Sequence, residues 1–440
     1  MTNVAEIFLW GTRIAIVALE KDNRISRFEY DKDFIKSGIE VSPIMMPLSE
    51  RVYSFPELSE QSFRGLPGLL ADSLPDKFGN IILDAWLASQ GRDRESLNVI
   101  EQLCYTGKRG MGALEFVPAL SDYPTEYERI QVNKLAGLAS DILSQRYKTS
   151  YRNDSHLMEQ IIKVGTSAGG ARAKAIVAWN EKTGDIRSGQ INPGDGYEYW
   201  LIKFGNVEGN RDKEEVDRPE YTKIEYAYYL MALAAGIKMN ECRLFSEGGV
   251  CHFMTKRFDR IGDKGDKLHM QTLGALAHYD YNIPGAYSYE QAAKVIRLLG
   301  MGQKEIEELY KRMVFNVMAR NQDDHVKNIS FLMDKDGIWS LAPAYDITYA
   351  YNPGGIWTGS HQMTINGKRD SINMDDLIQC SNTMNISHSR ANNIISCVSQ
   401  AVSNWQEFAY QAGLNEDVAI KIGKTHEHTT VHRGISFLEL

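Results

Sequence analysis

The sequence has no pair of cysteines spaced C-x-x-C. Its five, Cys104, Cys242, Cys251, Cys380 and Cys397, are scattered and odd in number. That argues against a zinc finger or a secreted disulfide framework and suits reduced thiols in a cytosol. There is no basic surplus either. Lys and Arg total 49 against 57 Asp and Glu, a formal charge of −8, so the chain as a whole has no attraction for phosphate backbones. The longest apolar run, around residues 226–237, falls far short of a bilayer span. The opening MTNVAEIFLWGTRIAIVALEKDNR carries Glu6 before its apolar residues, with no basic leader and no small-residue cleavage site. It reads as two strands or a hairpin and not as a signal peptide. Repeats and low-complexity tracts are missing, and 43% hydrophobic with 24% charged residues excludes the disordered class. The expectation is a soluble, cytoplasmic protein that makes no membrane contact.

What is there is a chain of 440 residues, long enough for two or three compact units. Short strand-like runs (IFLW, IAIVAL, SRFEY) and one or two helices around residues 78–90 occupy the first part. The polar segment PALSDYPTEYERI, with two prolines, marks a boundary near residue 120. Residues 131–262 read as strand-rich with one long helix. Helical periodicity dominates beyond them and is broken over residues 321–366. The expected organisation is a β-rich unit over 1–122, a mixed unit over 123–262 and a mostly helical unit over 263–440.

The chemistry concentrates in residues 303–347. Ile306, Leu309, Met313, Val317 and Met318 recur at helical spacing, which predicts an amphipathic helix ending in the polar NQDDHVKN. ISFLM and IWSLA then flank Asp334-Lys335-Asp336-Gly337, and Asp-Gly between two apolar runs predicts a hairpin. With Asp336-Gly337 as a two-residue turn, paired positions would set Lys335 against Ile338 and Asn328 against Tyr345, beside Asp346. A carboxamide and a carboxylate would then emerge at one end of the hairpin, about 5 Å apart. Such oxygen ligands suit a hard cation such as Mg²⁺. Asp323 lies five residues before Asn328. The order Asp-x4-Asn, hairpin, Asp is that of a protein-kinase active site. Each of the three taken singly would read as a turn residue.

A lysine for the nucleotide phosphates is offered by Lys203 in the apolar strand YEYWLIKF, where burial demands a partner. Glu225, on the following helix TKIEYAYYLMALAAG, is the candidate. The helix carries the stripe Ile224, Tyr228, Met231, Ala235 and is ended by Gly236. Thr222-x-x-Glu225 equally reads as a capping box, which would account for Glu225 without any ion pair. Upstream, VGTSAGGARAK (164–174) lies between EQIIKV and AIVAW, both strand-like. Its three glycines and Ser167 would let successive amides converge on an anion.

The blocks TSAGGARAK, WLIKF, IEYAYYLMA, KRFDR, NQDDHVKN and APAYDI, in order over residues 160–350, resemble the HipA family of bacterial serine/threonine kinases. FRGLPGLLADSLPDKFG looks like that family's N-terminal subdomain. The resemblance implies an α+β, two-lobed, protein-kinase-like fold with an added β-rich N-terminal subdomain and a mostly helical C-terminal lobe. It makes Asp323 the catalytic aspartate and gives Mg²⁺ to Asn328 and Asp346. ATP falls to Lys203, Glu225, Lys174, Lys327 and the loop Ser167, Ala168, Gly169, Gly170. Ser167 would be autophosphorylated, and a dianion there would compete with ATP phosphates. Partners implied are a protein substrate, aminoacyl-tRNA synthetases being known targets, and a helix-turn-helix antitoxin of HipB type. Nucleic acid would be met only through that antitoxin. A small-molecule phosphotransferase and a non-catalytic, nucleotide-binding co-repressor are the alternative readings.

Departures from the pattern are Arg172, where some members have Gln, and Lys256, where some have Glu. The loop lacks His-Arg-Asp and a lysine two residues past the aspartate, Lys327 standing four past. Asp346-Ile347-Thr348 replaces Asp-Phe-Gly. His325 reads as a structural hydrogen-bonder of the loop. His426, His428 and His432 in THEHTTVH read as a solvated face, without a fourth ligand in view. Asp259 is expected to pair with a neighbouring arginine.

Overall fold

Alternation of apolar and polar residues in the first thirty positions produces three antiparallel strands, Val4–Leu9, Thr12–Leu19 and Ser26–Tyr30. With Leu114–Val117 they form a four-stranded sheet. The computed structural model describes residues 2–20, 24–93, 96–120, 129–144, 155–165, 172–190, 193–208, 211–212, 215–216, 220–262 and 264–427.

The middle of the chain builds an antiparallel five-stranded sheet in the order Cys242–Glu247, Val250–Lys256, Glu198–Lys203, Lys174–Asn180, Asp185–Ser188. Its central strand sends Trp200 and Ile202, both fully buried, to one face. There they meet helices Lys77–Ser89, Val132–Leu143 and Ser155–Gly165. Helix Lys77–Ser89 precedes residue 122, yet Phe78, Ile82, Leu83 and Leu87 lie in the core of this sheet. The run EQIIKV belongs to helix Ser155–Gly165 and is not a strand. Leu157, Met158, Ile161 and Ile162 are buried at i, i+1, i+4, i+5, a helical stripe that a six-residue window is too short to tell from a strand. The glycine-rich segment therefore connects a helix to strand Lys174–Asn180, with residues 166–171 outside those described.

On the other face lies helix Tyr221–Ala234, whose Ile224, Tyr228 and Met231 are buried and after which Gly236 takes φ +74°. It begins the contact with the helical lobe, built around helices Gln303–Met318 and His388–Ser403. Ile306, Leu309, Met313, Val317 and Met318 are all buried, as their spacing predicts. His426, in the last described helix, Glu416–Glu427, is 4% exposed. It bonds Tyr228 Oη at 2.9 Å and packs on Trp405. The solvated-face reading fails there because the partner lies 198 residues away. His428 and His432 fall outside the described residues.

Strands Ser330–Met333 and Trp339–Leu341 pair as expected, but Met333 faces Trp339 and Leu332 faces Ser340. The register is one residue off a two-residue turn. Asp334 Oδ1 accepts from the amides of Asp336 and Ile338 (3.0 and 2.9 Å) and so lengthens the loop. Strand His269–Thr272 adds a third member. Its loop neighbours tie the N-terminal unit to the helical lobe. Val41 O contacts His269 Nε2 at 3.1 Å, and Gly68 N donates to His278 Nε2 at 3.0 Å. A Cβ at Gly68 would stand 2.2 Å from Ala275 O, so only glycine allows that approach. Asp259 is fully buried between Arg257 and Arg260 and accepts from Gly112 N at 2.7 Å. All five cysteines are free thiols. Among the described residues no helix is long and apolar enough to cross a membrane.

Burial lowers the pKa values of His252, His269 and His278 to about 4. Two of these rings accept backbone N–H bonds, at His252 Nδ1 and His278 Nε2, which requires an unprotonated nitrogen. The folded state therefore resists the protons that the unfolded chain takes up near pH 6.5. Stability is full above that pH and falls as pH drops toward 4, each histidine contributing up to about 1.4 kcal/mol per pH unit. Urea unfolding at pH 7 and 5 should show this fall. His278→Asn, which keeps an acceptor and tolerates the φ of +54°, should lessen it.

Candidate active site

Lys203 ends the central strand with its side chain on the face opposite Trp200 and Ile202, because side chains alternate. It is 5% exposed, which demands compensation. Glu225 Oε1 accepts from its ammonium at 2.6 Å and Asp346 Oδ1 accepts a second bond. The capping-box reading of Glu225 falls: the helix starts at Tyr221 after Glu220 in the left-handed region, and Thr222 Oγ1 donates to Cys251 O at 3.0 Å. Burial alone would lower the pKa of Lys203, but Asp346 and Glu225 outweigh it and hold the ammonium charged. Asp346 is likewise held below the usual carboxylate range. Burial opposes this, and Lys203, Lys174 and Arg172 prevail.

Asp346 has φ +52°, a conformation that Asp tolerates better than most residues. Its neighbour Tyr345 anchors it by donating to Lys327 O at 2.6 Å. Asp323 and Asn328 sit on the loop that Gln303–Met318 feeds. Asn328 Nδ2 donates to Asp323 O and Asn328 N donates to His325 O, both at 2.8 Å. The Asp323 carboxylate is 20% exposed, and Trp357 Nε1 donates to its Oδ1 at 2.7 Å. His325 Nε2 is 4.0 Å from the same oxygen and its ring lies against Tyr281.

Asn328 and Asp346 line one cavity together with His325 and Tyr345. A carboxylate, 35% exposed, and a carboxamide are an oxygen set that fits Mg²⁺, which takes few protein ligands beside water and phosphate. Among the described residues no three His, Cys, Asp or Glu side chains form a metal site by themselves.

Lys174 is buried and its Cα pairs with that of Lys203 on the adjacent strand. Burial lowers its pKa, against Asp76 and Asp346. Lys327 lies with Nζ 4.7 Å from the Tyr281 ring centroid and interacts electrostatically with Asp72 and Asp76. Ser167, Ala168, Gly169 and Gly170 fall outside the described residues. The structure thus joins Lys203 to Glu225 and Asp346 by direct bonds, sets Asp346 beside Asn328 in one cavity, ties Asn328 to the backbone of Asp323, and places Lys174 opposite Lys203. The Asp323 carboxylate and Lys327 are not among the groups that line that cavity.

Three neighbours escaped the sequence reading. Asp76 caps helix Lys77–Ser89 through Gly79 N at 2.7 Å, and burial lifts its carboxyl to about 6 against Lys174 and Lys327. Asp72 accepts from Thr272 N and Oγ1 at 2.7 and 3.0 Å. Both stand in LADSLPDKFG, where an Asp three residues before Gly79 signalled only a helix cap. Trp357 gave no local signal at all.

Residues 5–117 match the HipA N-terminal domain and residues 166–405 the HipA-like C-terminal domain. Y4mE of Sinorhizobium fredii, provisionally named a kinase, is 27% identical over 143 residues, 30% of this chain and 34% of that protein. A Haemophilus influenzae protein, also provisionally named a kinase, is 35% identical over 103 residues, 21% of this chain and 29% of that protein. The chain thus spans about a third of the length of these curated relatives. In the Shewanella oneidensis complex of HipA, HipB and operator DNA, a HipA chain superposes with a TM-score of 0.66. It does so at 17% identity, covering 98% of this chain and 96% of that one. That likeness carries the fold: α+β and two-lobed, with a β-rich N-terminal subdomain.

Lys203→Met should leave Glu225 and Asp346 facing each other without the ammonium that bonds both, with Arg172 and Lys174 acting only at longer range. We expect a loss of about 3–5 kcal/mol in urea unfolding. Adding Glu225→Gln removes one stranded charge and should restore part of it.

Proposed function

The chain belongs to the HipA family, and we propose that it is a Mg²⁺- and ATP-dependent protein serine/threonine kinase acting as the toxin of a type II toxin–antitoxin pair. The observation that carries this reading is the buried Lys203, bridged to Glu225 and to Asp346, which lines one cavity with Asn328, itself bonded to the backbone of Asp323. A lysine fixed by a helix glutamate, a metal-binding aspartate, and Asp-x4-Asn on a loop are the parts phosphoryl transfer needs.

In this reading Asp323 orients the acceptor hydroxyl and takes its proton. Lys203 holds the α- and β-phosphates, and Glu225 keeps its ammonium aimed at them. Lys174 and Lys327 add positive charge around the transferring group, while the amides of Ser167, Ala168, Gly169 and Gly170 cover the phosphates. Mg²⁺ bound by Asn328 and Asp346 would neutralise charge on the phosphate oxygens. Catalysis is then mostly positioning and charge stabilisation.

The acceptor is a cellular protein in the cytoplasm, an aminoacyl-tRNA synthetase being the class the family suggests, and in cis Ser167. With a net charge of −8, the chain would meet DNA through a HipB-type helix-turn-helix antitoxin. The Shewanella HipA is found in a complex with HipB and operator DNA.

Intact mass after incubation with Mg·ATP, beside Asp323→Ala, tests the reading. A gain of about 80 Da, one phosphate, mapping to Ser167 in the wild type and missing in Asp323→Ala, is expected. Full transfer by Asp323→Ala would overturn the assignment, and nucleotide binding should survive in that variant.

A further inference from the structure

Two consecutive aspartates of the candidate catalytic loop face opposite ways. Asp324 turns inward, 3% exposed, and its carboxylate accepts from Tyr289 Oη at 2.8 Å, His361 Nδ1 at 2.9 Å and Gln362 N at 2.8 Å. His361 and Gln362 end a segment, 352–362, that follows Asp346 in the chain. Gln362 Nε2 also donates to the carbonyl of Trp357. The segment closes on itself through Asn352 N to Thr358 O at 3.1 Å and Gly355 N to Asn352 O at 2.9 Å. It is packed so closely that a Cβ at Gly359 would stand 2.4 Å from Gly355 O. Trp357 is therefore held firmly, and from that position its indole reaches back to Asp323 Oδ1 at 2.7 Å.

A carboxylate on a loop can rotate about its last bond, which spreads the oxygen that must meet the acceptor hydroxyl. A fixed donor on one oxygen removes that rotation. Indole suits the task because it only donates and cannot take the proton itself. His325, at 4.0 Å from the same oxygen, is beyond hydrogen-bond range of it.

We propose that Trp357 is a positioning residue for phosphoryl transfer. It anchors Oδ1 of Asp323 so that the second oxygen faces the acceptor, and the Asp324–His361–Gln362 contacts hold Trp357 in place. This rests on the reading of Asp323 as the catalytic aspartate. Trp357→Phe keeps an aromatic ring and removes the donor. Incorporation of phosphate from Mg·ATP into the full chain should slow roughly 10- to 100-fold at saturating ATP, the range for losing one hydrogen bond to a charged group. The half-saturating ATP concentration and the melting temperature should stay at wild-type values, since Lys203 and Glu225 are untouched.

A second measurement needs no change at Trp357. In full-length ¹⁵N-labelled protein, one tryptophan indole N–H resonance should move upfield when Asp323→Ala removes its acceptor. A Trp357→Phe chain that transfers at the wild-type rate, or whose loss falls on ATP affinity or melting alone, overturns the proposal. So does an unmoved set of indole resonances. In each of those cases a wild type that transfers beside an inert Asp323→Ala leaves the kinase reading standing, whereas a wild type without transfer overturns both.

Discussion

The buried ammonium of Lys203 is the constraint on which the two lobes agree. It comes from the five-stranded sheet and takes one carboxylate from helix Tyr221–Ala234 and another from the segment after the hairpin. Neither carboxylate is well placed without it, and it could not be buried without them. The same helix is tied to the far end of the chain. Tyr228, one turn past Glu225, donates to Ala319 O at 2.5 Å and meets His426 of the last described helix. A displacement of that terminal helix would reach Glu225 through a single helical turn, and Lys203 through Glu225. Because the ion pair is short and buried, small shifts are costly.

The cleft's remaining order comes from hydrogen bonds that are not local. Asp72 and Asp76, from the first hundred residues, hold or face groups from strands Lys174–Asn180 and His269–Thr272. The N-terminal unit is thus part of the electrostatics of the site and not an appendage to it. At Asp76 burial outweighs Lys174 and Lys327 and lifts the carboxyl to about 6, so that unit brings a weakly acidic group to these lysines.

Much of this was legible in the sequence because it depends on local pattern. The Asp323, Asn328 and Asp346 order, the helix before it, the hairpin and Lys203 all follow from spacing and from a lysine among apolar neighbours. Two errors and one reading left open have a common root. EQIIKV read as a strand because six residues cannot show a helical stripe eleven residues long. The capping box stayed open beside the Lys203–Glu225 pair because the partners that decide it, Cys251 for Thr222 and Lys203 for Glu225, are 29 and 22 residues away. The hairpin register slipped by one because the Asp334 side chain took two turn amides, a contact that dipeptide preference does not encode. Trp357, 34 residues from Asp323, lies beyond any periodicity at all.

Helix Lys77–Ser89 has a consequence for how the protein is made. Its buried face, with Phe78, Ile82 and Leu87, packs on a sheet whose central strand ends at Lys203. A ribosome delivering about 5–20 residues per second completes that strand on the order of 10 s after the helix. Until helices Val132–Leu143 and Ser155–Gly165 follow, the nascent chain displays an apolar helix with no surface to close on, and after that only two helices of its core until the sheet is complete. The N-terminal sheet beside it, by contrast, can complete its four strands once Val117 is out. Emergence order and packing order therefore differ in this chain, and the helix is the segment a chaperone would meet.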